Sequence, residues 1–157
     1  MSKRPGFGLI HVVLAATMAA ALIPQPARAA LGEPETTIAE DARQLQGSSQ
    51  ATQLANYRVH AIALPSGTIL REFAAPAGTV FAVAWSGPAL PNMRQALGQY
   101  FDVYAAAAKA RHGGGHHHFQ VRQDGFVMQS SGHMRAFSGR AYLPRALPSG
   151  VSVDELH

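Results

Sequence analysis

The sequence contains no cysteine. That absence excludes disulfides, thiol catalysis and lipid attachment at an N-terminal cysteine, so stability has to come from packing. Charge is scarce too: 13 Lys and Arg and 9 Asp and Glu amount to 14% of 157 residues. Lys3, Arg4 and Arg28 precede residue 30, and beyond them ten basic residues face nine acidic ones. Arg58, Arg71, Arg94, Arg111, Arg122, Arg135, Arg140 and Arg145 are spread along the chain, which argues against a nucleic-acid surface. After residue 30 no apolar run approaches the ~20 residues of a membrane span. The nucleophile elbow Gly-x-Ser-x-Gly is missing. Gly113–Gly115 follows a helical stretch, whereas a phosphate cradle precedes one.

What is present begins with an export signal. Lys3 and Arg4 give a basic start, and Leu9–Ile23 is apolar apart from His11 and Thr17. Pro24-Gln25-Pro26 ends that run, and Ala27-Arg28-Ala29 has the small-x-small pattern that signal peptidase cuts after. Residues 1–29 are therefore read as a signal peptide cut between Ala29 and Ala30. Residues 30–157 are expected to form a single small domain, long enough to bury its own core. With the signal removed, no membrane span is expected.

Periodicity then predicts an α+β fold: a twisted antiparallel sheet packed by one long and one short helix. Thr37-x-x-Glu40 has the form of a capping box, with Ile38, Ala42 and Leu45 on one helical face and Gly47 as the stop. Ser48–Gln53 is polar and reads as a loop. Strands are expected at Tyr57–Leu64, Thr68–Phe73 and Thr79–Trp85, separated by turns at Pro65-Ser66-Gly67 and Pro76-Ala77-Gly78. Val80–Trp85 has no polar member, so it is placed at the centre of the sheet, covered on both faces. Asn92 opens the long helix, in which Met93, Leu97, Tyr100 or Phe101, and Tyr104 recur at helical spacing and Ala105–Ala108 extend it. Asp124-Gly125 marks a hairpin, His133–Phe137 a further short strand, and the residues from Pro144 a loose tail.

The candidate sites are few. His112, His116, His117 and His118 surround Gly113–Gly115, and neutral imidazoles on a pliable backbone suit zinc, copper or nickel. No Cys, Asp or Glu lies near in sequence to complete a shell, so the same tract also reads as a solvated linker. Trp85, with Tyr100 and Tyr104, is a candidate partner-binding groove; the simpler reading is a core aromatic. Ser130 and Ser131 stand beside His133, yet neighbouring strand residues point to opposite faces, which argues against a nucleophile and its base. Arg135 and Arg140 are candidates for an anion, or plain surface arginines. Arg71-Glu72 reads as a solvent face, and Glu40-Asp41 as first-turn acids that favour the helix dipole. His60, Glu72 and Asp102 are ionisable residues that only the fold can bring together. No catalytic set converges, and no cofactor is implied beyond a transition ion on the histidines.

Several blocks do carry a resemblance. They are Ala29–Gly32, Leu64–Thr68 with Arg71-Glu72, Gly78–Pro88, and Gly132–Tyr142. Together the blocks resemble a family of small exported proteins of Gram-negative bacteria, defined as a domain of unknown function. The resemblance implies a periplasmic or secreted setting and brings no activity, cofactor or catalytic residue. The expectation is a non-enzymatic accessory protein that binds an envelope partner through its sheet and the Trp85–Pro88 corner. A periplasmic metal-binding protein using the Gly/His loop is the alternative.

Overall fold

The computed structural model describes residues 30–110, 118–123 and 125–157. Its frame is a seven-stranded antiparallel sheet: β1 (Ser48–Gln53), β2 (Arg58–Ala63), β3 (Ile69–Ala74), β4 (Val80–Gly87), β5 (His118–Gln123), β6 (Phe126–His133) and β7 (Ala136–Tyr142). The strand order is β1-β2-β3-β4-β7-β6-β5. β4 is central because residues 80–85 are apolar on both faces, and all six are buried. Three helical segments pack on one face: α1 (Ile38–Gln44), α2 (Met93–Leu97) and α3 (Phe101–Ala110). The fold is thus α+β.

Side-chain alternation divides the core in two. Leu70, Val83, Trp85, Met128 and Ala141 face the helices, packed with Ile38, Ala42, Met93 and Leu97. Phe73, Ala84, Val127 and Tyr142 lie on the opposite face with Tyr57 and Leu156. One irregularity feeds the second cluster. Phe73 pairs with Ala82 but Ala74 with Val80, so Phe81 is an extra residue in β4, and Phe81 and Ala82 both join that face.

The C-terminal tail, expected to be loose, covers this second face. It has only two short 3-10 turns, Pro144–Ala146 and Val153–Glu155, yet Leu156 is 1% exposed. Burying such a side chain contributes about 2 kcal/mol. Polar contacts fix the tail further. Ser152 and Glu155 form a capping box, and Tyr57 Oη donates to Glu155 Oε2 at 3.2 Å. Burial, then the hydrogen bond and charge of Glu155, raise the Tyr57 hydroxyl pKa above its usual value.

Local expectations fail where longer-range contacts compete. Thr37 does not cap α1; its hydroxyl donates to Pro34 O at 2.7 Å instead. The left-handed residue after α1 is Gln46 (φ 54°), not Gly47. Ser48–Gln53 is strand β1 rather than a loop, because β2 offers it six residues of antiparallel pairing. The expected strand His133–Phe137 contains a hairpin turn, with Met134 fully in solvent and Arg135 at φ 62°. β5 and β6 do form the expected hairpin, Gln123 opposite Phe126.

The long helix is broken at Gly98 (φ 51°, ψ −122°). A Cβ there would stand 2.4 Å from the Ala30 Cβ, since Ala30 and Leu31 are buried beneath the break. Leu31 N–H donates to Ala96 O, and Gly32 N–H to Val80 O, which stitches the start of the fold to α2 and β4. Gly98→Ala is expected to cost about 1–3 kcal/mol through overpacking and backbone strain. Urea unfolding checks it, and an unchanged midpoint would mean that Ala30 yields at no cost.

Candidate functional site

The aromatic trio expected to open a groove is packed instead. Trp85 is 1% exposed, on the helix face of β4. Tyr100 stacks on Phe126 with ring centroids 5.1 Å apart, and Tyr104 meets Phe119 edge-on at 5.6 Å. These rings anchor α3 to β5 and the turn before it to β6. The Trp85 side chain has no outward face to offer a partner.

Of the four candidate metal ligands, His112, His116 and His117 lie outside the described residues. His118 is exposed at the start of β5, opposite Ser131. Among the described residues no three His, Asp or Glu side chains gather into a cation site. The serine candidates face serine: Ser131 Oγ lies 3.1 Å from Ser138 Oγ, and Ser130 Oγ donates to Ser138 O at 3.4 Å. In β6 alternation puts Ser130 and His133 on opposite faces; Ser131 shares the His133 face, two residues away, and its hydroxyl is engaged with Ser138 rather than the imidazole.

The tertiary structure does assemble acids from separate parts of the chain. Glu72 and Asp41 are both 0% exposed, which corrects the reading of Glu72 as part of a solvent face; Asp41 does lie in the first turn of α1, but buried. Asp41 on α1 lies near enough to Glu72 on β3 for the two charges to interact. Neither Glu72 oxygen has a hydrogen-bond partner among the described residues. Burial, reinforced by the charge of Asp41, pushes the Glu72 carboxyl up to about 8, so it is largely protonated at neutral pH. His60 is the cross-strand neighbour of Glu72. Its Nε2 shares a 2.7 Å hydrogen bond with Glu35 Oε1, which Arg58 also contacts. Burial alone would raise the Glu35 pKa; His60 and Arg58 outweigh it and hold the carboxyl below its usual value. Glu72 is fully buried and lines none of the grooves formed by the described residues. Asp102 takes no part and is exposed on α3.

The most unusual surface is the β1 edge. All six of its residues are exposed, and it pairs only with β2. Edge strands are ordinarily blunted by charge, proline, bulges or a covering element. Ser48-Ser49-Gln50-Ala51-Thr52-Gln53 has no charged residue or proline, and its register with β2 is unbroken. The opposite edge, β5, carries His118 and Arg122. Sequence reasoning passes over β1 because its polar composition resembles a loop. Thr52 is its one residue of high strand propensity, a weak signal.

Residues 27–156 match the family of proteins of unknown function DUF2844. The chain belongs to this family. The DUF2844 match covers the entire sheet, all three helices and the tail through Leu156, and leaves out the first 26 residues. No curated protein and no solved structure matches the chain.

Proposed function

We propose that this DUF2844 protein is an exported, non-enzymatic accessory module that binds an extended segment of an envelope protein by strand addition at β1. The bare β1 edge carries the reading: six consecutive residues free of charge and proline offer their outer backbone to another strand. Main-chain hydrogen bonds would supply the attraction, and the exposed Ser, Gln and Thr side chains would tolerate many partner sequences. Export is supported by the signal-like first 29 residues and by a family match that starts only at residue 27.

The test uses the protein recovered from the periplasmic fraction, whose mass should correspond to a chain beginning at Ala30. Cross-linking in intact envelopes should trap a partner through β1, and β1 amides should gain hydrogen-exchange protection in that complex. Gln50→Lys with Ala51→Pro should abolish the cross-link, by adding charge and removing an edge donor. An exposed control on α3, Asp102→Asn, should leave it intact. Equal trapping by the β1 variant would overturn strand addition.

A further inference from the structure

The tail stops short of one end of the sheet face it covers. Tyr142, opposite both Ala82 and Val127, lies in a row sealed by tail residues, and cover thins in the next one, where Ala84 is still buried but Arg140 and Gln129 are partly exposed. One step along the strands, Arg140 stands between Ala84 and Gln129, and Gln129 stands opposite Gln120. A further step gives Ser86, Ser138, Ser131 and His118, side by side on β4, β7, β6 and β5. Alternation puts both rows on the tail's face. They form the floor of a groove of about 560 Å³ that ends against Leu156 and His157. That volume lies within the usual range for ligand pockets, ~300–1,000 Å³.

The chemistry of these rows is selective. Hydroxyls and carboxamides both donate and accept, and they recur at the strand spacing of about 4.8 Å. The two rows contain no Asp or Glu. Arg140 is held in place rather than left to wander: Nε donates to Gln129 Oε1 at 3.0 Å, and Nη1 to Val153 O at 2.7 Å. Its Nη2 lies 3.7 Å from the exposed Asp154 carboxylate. On the other side of Ala84 stands Arg71, whose Nη1 donates to Ser86 Oγ at 3.4 Å. Two guanidiniums therefore stand either side of Ala84, with the glutamines beyond Arg140 and the serine row one step along the strands. His118 supplies the one aromatic ring of these two rows, so attraction rests mainly on hydrogen bonds and charge.

We propose that this groove binds a short acidic glycan, with sugar hydroxyls on the serine and glutamine rows and a carboxylate against Arg140. A repeating hydroxylated chain matches the repeating rows, and a planar carboxylate matches a preorganised guanidinium. The site is separate from the β1 edge and does not depend on it, because β1 lies at the far side of the sheet.

Calorimetric titration of the purified protein with trigalacturonate tests this, beside the uncharged methyl ester of the same trimer. Binding is expected to be weakened by salt, and the ester to bind about tenfold more weakly or worse, since a charge-assisted hydrogen bond is lost. Arg140 also holds the tail, so the decisive variant is the double change Gln120→Ala with Ser131→Ala. Both side chains lie on the floor and neither anchors the tail. The double variant should keep its unfolding midpoint and lose about tenfold in affinity for the trimer. Gln50→Lys on β1 should leave trimer binding unchanged. No binding on the order of 1 mM, equal binding of acid and ester, or full affinity in the double variant would each overturn the proposal.

Discussion

Raising the pH from about 4.5 to above 8 should cost the protein about 5 kcal/mol that Glu72→Gln retains. The Glu72 carboxyl, ordinarily at 4.5, is moved to about 8 in the folded state by burial and then by Asp41. Between those values the folded protein binds a proton that the unfolded chain has released. Stability therefore falls as pH rises, by up to ~1.4 kcal/mol per pH unit. Below 4.5 the carboxyl is protonated in both states, and above 8 it is ionised in both, so the loss is confined to the interval. The groups around it are Asp41 on α1, His60 on β2 and, through His60, Glu35 and Arg58. Glutamine keeps the shape and never ionises. Urea unfolding of both proteins from pH 4 to 9 should show curves that coincide at the acid end and diverge steadily upward. A difference that does not vary with pH would mean that Glu72 ionises normally and that the pocket around it admits water.

Trp85→Ala should remove about 3–5 kcal/mol, the cost of emptying a large aromatic site in a core. The indole lies directly over Gly139, its cross-strand partner: a Cβ at Gly139 would be 2.4 Å from Trp85 Cζ2 and 2.8 Å from Gln129 O. Gly139→Ala should therefore also destabilise, by about 1–3 kcal/mol, since neither the ring nor the backbone can retreat. Trp85→Phe is the informative companion. It leaves a smaller cavity and should make Gly139→Ala less costly, a coupling that a double-mutant cycle reads directly. Thermal unfolding with intrinsic fluorescence suits the Gly139 variant, as Trp85 is the sole tryptophan. If Trp85→Ala left stability unchanged and abolished partner capture, the residue would be a surface anchor, contrary to its 1% exposure.

Much of the frame is legible in the residues themselves. The unbroken apolar run Val80–Trp85 has to be central, because no single exposed face could carry it, and β4 is central. Asn92 is a readable helix start, and its side chain does accept from Gln95 N–H. The hairpin closing at Gly125 follows from backbone chemistry alone. The departures share one cause. β1 reads as a loop because pairing, not composition, makes an edge strand, and the tail reads as loose because its few apolar residues have no period. Each is ordered by a surface that the rest of the chain builds.

Sequence alone determined the fold class, the lack of thiol chemistry and the family, since these rest on composition, short-range periodicity and matching blocks. The tertiary structure alone decided which side chains meet. Glu72 and Asp41 are 31 positions apart, and only the tertiary fold turns two ordinary acids into a buried, interacting pair. Ser86, Ser138, Ser131 and His118 come from four strands, and only their register sets them in one row. The physical reason is range. Propensity and alternation act within a few residues, whereas desolvation and cross-strand contact depend on neighbours that the sequence holds far apart.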